Sequence, residues 1–231
     1  MRDRRQKKGH DETASTMLLS EVNRTGLTEF LRAHPHPGGI VVCESRKFIY
    51  MKTAKNAGTS ILRGYLEKEV GGVIHLRNHP EAFRRWLDGI SDEKLEEYYI
   101  FTVVRNPWDR LVSVSVQLSI PLAVLIDEFK NLQELEHVRV HSLPQHFYTH
   151  CARRPFVNRI CRFETLQEDM DLVLGELNLK PTKMPFLNRS EHNHYATYYT
   201  DAARDKVAAL YAEDLALYGY TFTRQGHSSP G

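Results

Sequence analysis

Lys55, Gly58, Thr59 and Ser60 are the residues of this chain whose types and spacing best fit the binding of an anion. They follow an apolar, β-prone run at 48–51 and precede a segment whose apolar residues have helical spacing. The pattern predicts a strand, a loop and a helix. A lysine, a glycine that permits close backbone approach, two hydroxyls and the amides of a helix N-terminus together suit a phosphate group.

The loop differs from the Walker motif GxxxxGK[ST], in which the lysine follows the last glycine. Here the lysine comes first, in the order KNAGTS at 55–60. Taken alone, so short a loop is equally compatible with an ordinary turn between a strand and a helix. Lys52, a second cation nearby, is interpreted as a solvated residue at the strand end.

A second strand-to-helix junction is predicted at Arg105. Tyr99–Val104 is a continuous apolar run, typical of a central parallel strand that is buried on both faces. Asn106 suits a helix N-cap and Pro107 suits the first helical position. Because ligands of open α/β sheets bind at the carboxyl ends of strands, two such junctions predict a ligand with two separate anionic groups. An ion pair with Asp109 is the structural alternative for Arg105, and the presence of the first loop favours the ligand role.

Both segments resemble the donor-binding motifs of sulfotransferases that use 3′-phosphoadenosine 5′-phosphosulfate, especially the carbohydrate sulfotransferase branch. AKNAGTSI at 54–61 is similar to the PKNAGTS-type 5′-phosphosulfate loop, with Ala54 where proline is usual. FTVVRNPWDRLVS at 101–113 is similar to the 3′-phosphate-binding segment, with its arginine and serine eight positions apart. The resemblance continues through HSLPQHFY, an RFE-x-L unit and a late L-N-x-S…Y loop, and covers about residues 40–222.

The resemblance implies that 3′-phosphoadenosine 5′-phosphosulfate is the donor and adenosine 3′,5′-bisphosphate the product. Lys55 would offset the charge that develops on the leaving phosphate. Arg105 and Ser113 would hold the 3′-phosphate, and Arg189 is either an added charge there or a surface residue. The 5′-phosphosulfate would contact the loop residues Lys55, Asn56, Ala57, Gly58, Thr59 and Ser60.

An acceptor hydroxyl needs a general base, and histidine is the usual choice near neutral pH. The family generally places this base, often histidine, between the two phosphate elements, where this chain has His75 and His79. His79 is the favoured base, since NHPEAFRRWL resembles the family's H-x-x-A segment ahead of a helix. A loop residue without a catalytic role is the alternative for His79. His141 is an outside candidate, better suited to acceptor binding or structure.

Composition limits the remaining possibilities. With 231 residues, 41% of them hydrophobic and 26% charged, the chain fits one globular domain. A net charge of only +2 does not indicate nucleic-acid binding. The three cysteines include no CxxC pair and predict neither a disulfide framework nor a zinc site. No Walker-B aspartate follows the loop, so no metal site is predicted. The polar N-terminus has no signal-peptide pattern and no apolar run is long enough to span a membrane, so a cytoplasmic protein is expected.

These observations predict a single P-loop-like α/β domain at 21–231, with a central, mainly parallel sheet flanked by helices, after a flexible arm at 1–20. The predicted function is metal-independent sulfuryl transfer to a hydroxyl of a sugar, glycolipid or small metabolite. An ATP- and Mg²⁺-dependent phosphotransferase and a non-catalytic nucleotide-binding protein are the alternatives. The sequence does not predict the acceptor or the oligomeric state.

Overall fold

The structure is a computed structural model that describes residues 23–33, 39–66, 74–75, 80–185 and 193–224. The predicted arm at 1–20 therefore lies outside the described residues. The strands are β1 (Ile40–Cys43), β2 (Phe48–Met51), β3 (Ile74–His75), β4 (Tyr99–Val104), β5 (His150–Cys151), β6 (Arg154–Pro155) and β7 (Arg159–Arg162).

A central sheet contains five of these strands in the order β3–β1–β2–β4–β7, and β5 and β6 form a separate hairpin. Strand β4 is parallel to both of its neighbours, β2 and β7. Strand β1 is antiparallel to β2 and to β3. Four of the five strands therefore run in one direction, and the predicted α/β class with a mainly parallel sheet is confirmed.

Helices flank this sheet. They are α1 (23–33), α2 (Gly58–Ile61) with a π-helical turn (Leu62–Leu66), α3 (Pro80–Gly89), α4 (Asp92–Glu96), α5 (Pro107–Leu118), α6 (Leu122–Asp127), α7 (Phe129–Leu132), α8 (Glu136–Ser142), α9 (Leu166–Glu176), α10 (Asp201–Leu210) and α11 (Ala212–Tyr218), with 3₁₀ turns at Gln145–Tyr148 and Tyr195–Tyr198. The last two helices, α10 and α11, are separated at Tyr211.

The core lies on both faces of the sheet because successive strand side chains point to opposite sides. Phe48 and Tyr50 of β2 face helices α2 and α9, whereas Ile49 and Met51 face helices α1 and α3. All four side chains are fully buried. Burial of each contributes on the order of 1.5–3 kcal/mol to folding. The two packed layers hold β2 and β4 in the middle of the domain.

The carboxyl ends of β2 and β4 lie side by side as a result. Met51 pairs with Thr102 in the parallel register, and the Thr102 hydroxyl donates to the Met51 carbonyl at 2.6 Å. The segments that follow these two strands therefore leave from the same edge of the sheet. These segments carry Lys55 and Arg105, as the sequence predicted.

Candidate functional site

The loop between β2 and α2 holds two residues in left-handed backbone conformations. Lys55 has φ 67° and Ala57 has φ 58°. Such conformations cost non-glycine residues on the order of 1–2 kcal/mol each. Gly58, the glycine predicted to permit close backbone approach, is the first residue of α2. The contacts around the loop must therefore supply the energy that keeps it in this shape.

Asn56 fastens this loop to β4. Its Nδ2 lies 2.8 Å from Thr53 Oγ1, 2.6 Å from the Val103 carbonyl and 2.8 Å from Gln145 Oε1. The side chain is fully buried. Because its amide hydrogens are engaged in the interior, any contact between Asn56 and a ligand would come from its backbone.

Lys52 lies over the start of α2. A Cβ atom added to Gly58 would come within 2.4 Å of Lys52 Cε, so the lysine stem occupies the space that a side chain at Gly58 would need. The stem also packs against Gly39, and Lys52 as a whole is half-buried. The Lys52 stem is therefore packed against the start of α2, and solvation of its ammonium group stays a prediction.

Arg105 extends the second junction toward the first. Its Nε donates to Asp109 at 2.7 Å, which is the ion pair considered from the sequence, and its guanidinium lies 4.1 Å from the centre of the Phe163 ring. Its Nη1 donates to the Lys55 carbonyl at 2.9 Å. Within the part of the chain that the structure describes, Nη2 has no acceptor. The guanidinium is thus fixed in orientation and retains donors for a ligand.

Helix α5 follows Arg105 as predicted. The Asn106 side chain caps it by accepting from the Trp108 amide at 3.1 Å, and Pro107 is its first residue. The backbone N–H of Asn106 donates to the Glu164 carboxylate at 2.7 Å. The chain turn that carries Arg105 is therefore held from both sides.

Lys55 and Arg105 form a pair of neighbouring cations. Burial lowers the pKa of Lys55, and the nearby Arg105 guanidinium lowers this pKa further. The Lys55 ammonium lies 3.3 Å from the side-chain oxygen of Gln117 on α5. An anion bound between the two cations would favour the charged lysine, since an opposite charge nearby raises a lysine pKa.

The three predicted hydroxyls follow these cations along the chain. Thr59 and Ser60 lie in the first turn of α2, and Ser113 lies two turns along α5. Thr59 is half-buried, whereas Ser60 and Ser113 are 2% and 1% exposed. That these three hydroxyls bind the phosphosulfate nucleotide stays a prediction.

His79 and Arg189 lie outside the described residues. His75 is described only through its backbone, which pairs with Val41 in the sheet. The roles predicted for His79 as the general base and for Arg189 at the 3′-phosphate therefore stay predictions.

Arg110 joins His141 to the first loop. This buried guanidinium donates to the Ala54 carbonyl at 3.1 Å and to the His141 carbonyl at 3.0 Å. The His141 Nδ1 lies 2.6 Å from the His137 carbonyl. Because a carbonyl only accepts, Nδ1 carries a proton and Nε2 is the nitrogen that can accept one. Burial lowers the pKa of His141, and the Lys55 and Arg110 cations add to this effect.

Two buried polar residues at the site were missed from the sequence. Gln145 is fully buried and its Oε1 lies 2.8 Å from the Arg105 amide nitrogen. Asp214 is also fully buried and accepts from the Gln145 backbone at 2.8 Å. The available signal was the glutamine of HSLPQHFY, which lies in a segment quoted only for its resemblance. No motif marked Asp214.

The described residues contain neither a metal-ligand cluster nor a membrane-spanning helix. No three His, Cys, Asp or Glu side chains there come together as metal ligands would. No helix in these same residues is long and apolar enough to cross a membrane.

Comparisons with known proteins give one similar structure. No protein-family model matches the chain, and no curated protein is significantly similar to it. A sulfotransferase from Alicyclobacillus acidocaldarius is similar at 16% identity, with a TM-score of 0.43, over 76% of this chain and 96% of that chain. Similarity at this level identifies neither family nor function.

Proposed function

We propose that this protein transfers a sulfuryl group from 3′-phosphoadenosine 5′-phosphosulfate to an acceptor hydroxyl. The observation that carries the proposal is the adjacency of Lys55 and Arg105, which come from neighbouring strand-to-helix junctions and are linked through a 2.9 Å hydrogen bond. Two fixed cations at the carboxyl edge of a sheet suit a nucleotide with two anionic groups. The motif resemblance of both junctions supports this donor.

Each junction binds one anionic end of the donor in this proposal. Lys55 and the loop backbone through Ser60 hold the 5′-phosphosulfate. Arg105 holds the 3′-phosphate through the donors that Asp109 and the Lys55 carbonyl do not use. Ser113 and Arg189 complete the 3′ end.

The bound donor supplies a sulfuryl group that is activated by its attachment to phosphate. The acceptor oxygen bonds to sulfur while the bond from sulfur to the bridging phosphate oxygen breaks. Lys55 offsets the negative charge that develops on that bridging oxygen. The products are a sulfate ester and adenosine 3′,5′-bisphosphate, and no metal is needed.

His79 takes the proton of the acceptor hydroxyl in this mechanism. His141 is the alternative base, because its Nε2 can accept a proton and Lys55 is close enough to lower its pKa. The acceptor is a sugar, a glycolipid or a small metabolite with a free hydroxyl. Nucleic acid is not an expected partner.

Calorimetric titration with adenosine 3′,5′-bisphosphate in EDTA tests the donor assignment. The wild-type protein should bind, and Lys55→Ala and Arg105→Ala should each weaken binding roughly tenfold to a hundredfold, as expected for one charge-assisted contact. Lys47→Ala is the matched lysine control, because Lys47 also has a positive φ, 52°, but lies at the other end of β2. Arg159→Ala is the matched arginine control, since Arg159 pairs with Asp169 at 3.4 Å.

The same titration distinguishes the alternatives. Binding of ATP only, and only with Mg²⁺, would support a phosphotransferase. Binding of the bisphosphate without sulfation of any acceptor in a broad panel, with the phosphosulfate donor present, would support a non-catalytic nucleotide-binding protein. Equal losses in the site variants and in their controls would contradict the roles of Lys55 and Arg105.

A further inference from the structure

Gln145 hydrogen-bonds to both junctions through its one side-chain amide group. Its Oε1 lies 2.8 Å from Asn56 Nδ2 in the first loop and 2.8 Å from the Arg105 amide nitrogen. Its Nε2 donates to the Arg105 carbonyl at 2.8 Å. The side chain is fully buried. It therefore lies between the loop that carries Lys55 and the end of β4.

The contacts with Arg105 fix its main chain. Gln145 pairs with both the N–H and the C=O of this residue, as a neighbouring strand would. Arg105 is the first residue beyond β4, so these two peptide groups have left the sheet ladder. A buried peptide group without a partner costs about 1–3 kcal/mol. Gln145 thus holds the backbone from which the Arg105 side chain projects.

The contact with Asn56 fixes the first loop. Asn56 also lies within hydrogen-bonding distance of the Val103 carbonyl, at 2.6 Å. Gln145 and β4 therefore hold the same loop side chain from two directions. The loop is strained at Lys55 and Ala57, so it needs such contacts to keep its shape.

Asp214 fixes Gln145 in turn. Its carboxylate accepts from the Gln145 backbone at 2.8 Å, and Gln145 Nε2 lies 3.4 Å away. The backbone nitrogen and Nδ1 of His146 each lie 2.8 Å from its other oxygen. Asp214 belongs to α11, which is 69 residues away in sequence and is packed against the Gln145–Tyr148 turn. A fully buried carboxylate with this many donors orients the glutamine rigidly.

We propose that Gln145 is a positioning residue that couples the two anion-binding junctions. A ligand with both anionic groups then binds more tightly than expected from the separate affinities of its two ends. The inference rests on the proposed donor site. It adds that the spacing of Lys55 and Arg105 is set by a side chain that touches neither anion. A ligand that is held at both ends binds more tightly when its two binding residues are already at a fixed separation. Binding then carries no further entropy cost for ordering these residues.

Gln145→Met tests this coupling, because methionine has a similar volume and cannot donate or accept these bonds. Binding is measured with three ligands, adenosine 3′,5′-bisphosphate, adenosine 5′-monophosphate and adenosine 3′-monophosphate. We expect the bisphosphate to lose on the order of tenfold or more in affinity, and each monophosphate about threefold or less, in line with ordinary coupling energies. A role in stability alone would weaken all three ligands by the same factor.

Asn158→Ala is the matched control. Asn158 Oδ1 accepts from the Ile100 amide at 2.7 Å, so this variant also removes a side-chain amide contact with the backbone of β4, but at the other end of the strand. Its melting temperature shows the cost of losing such a contact. Its affinities for the three ligands should equal those of the wild type.

Gln145→Glu provides a second test if the methionine variant does not fold. One carboxyl oxygen can still accept from Asn56 and Arg105, while the other faces the Arg105 carbonyl and the Asp214 carboxylate, which are both acceptors. Only the protonated acid can donate there as glutamine does. We expect the loss in bisphosphate affinity, relative to the wild type at the same pH, to shrink as the pH falls from about 8 to about 6. The His146 ring, which contacts Asp214, is present in both proteins. A comparison with the wild type at the same pH therefore cancels its contribution.

The outcomes separate this inference from the proposed function. No bisphosphate binding by the wild type would overturn the donor assignment and, with it, the coupling. Normal wild-type binding with equal losses for all three ligands, or with no loss, would overturn the coupling and leave the donor assignment intact. A defect in Gln145→Glu that does not change with pH would also count against the role of Gln145.

Discussion

Arg105 donates from Nη1 to the backbone carbonyl of Lys55 at 2.9 Å, so the cation that follows β4 holds the main chain of the cation that follows β2. The two positive charges are therefore close before any ligand arrives. Their repulsion is part of why the pKa of Lys55 is lowered, after burial itself. A ligand anion between the two cations would relieve this repulsion.

The first prediction concerns the pH dependence of donor binding. Because the pKa of Lys55 is lowered, the ammonium loses its proton at a lower pH than an ordinary lysine does. Bisphosphate affinity should therefore fall as the pH rises through that pKa, and binding near that pH should take up protons. Calorimetry from about pH 7 to about pH 10, in buffers of different ionisation enthalpy, measures both effects. Lys55→Arg should bind without the alkaline fall, since arginine stays charged; the same fall in that variant would assign the titration to another group.

The second prediction concerns folding stability, which should rise with pH where bisphosphate affinity falls. A lysine whose pKa is lower in the folded state than in the unfolded state binds its proton less tightly when folded, so its charged form destabilises the fold at neutral pH. Stability rises as the pH increases from the folded pKa to the unfolded one. Lys55→Met should therefore raise the melting temperature at pH 7 by about 1–4 °C while it weakens bisphosphate binding roughly tenfold to a hundredfold.

Lys47→Met is the control for that measurement. Lys47 pairs with Glu97 at 3.5 Å and lies 5.1 Å from the centre of the Tyr98 ring, so its removal should leave stability unchanged or slightly lower. A gain of the same size in both variants would mean that the effect does not arise from the charge at Lys55.

The left-handed conformation of Ala57 leads to a third prediction. With φ 58°, Ala57 is in a region that glycine adopts without steric cost. Ala57→Gly should therefore stabilise the protein by up to about 1 kcal/mol in urea denaturation, despite the added freedom of the unfolded chain. Ala54→Gly, three residues earlier in the same loop, is the control, because Ala54 is not among the residues with positive φ. It should be destabilising, and a loss in both variants would contradict the strain assigned to Ala57.

Local sequence patterns were sufficient to predict the parts of this site that lie close together in the chain. The apolar run before Arg105 predicted strand β4. The start of α5 was predicted from Asn106 and Pro107. The Arg105–Asp109 ion pair has helical i, i+4 spacing and was therefore visible as an alternative. Each of these features depends on residues that interact with near neighbours.

The parts that could not be predicted depend on distant contacts. Gln145 contacts Asn56 across 89 residues, and no local rule requires either amide to be buried. The need for glycine at Gly64, in the π-helical turn after α2, likewise depends on a distant residue, because a Cβ there would lie 2.2 Å from the Pro185 ring. The sequence predicted a glycine for close backbone approach and did not indicate the left-handed conformations that Lys55 and Ala57 adopt. Tertiary packing decides all three features, and it overrides local preference.

The last prediction tests the general base. In a sulfuryl-transfer assay, His79→Ala should lower kcat roughly a hundredfold to ten-thousandfold, the usual contribution of a general base, and should leave bisphosphate affinity unchanged. The acid limb of the kcat/KM profile should disappear with it. His141→Ala should change kcat little if His79 is the base. If His141 is the base instead, its lowered pKa keeps it unprotonated to lower pH, so the acid limb should lie below the ordinary histidine range and vanish in His141→Ala rather than in His79→Ala.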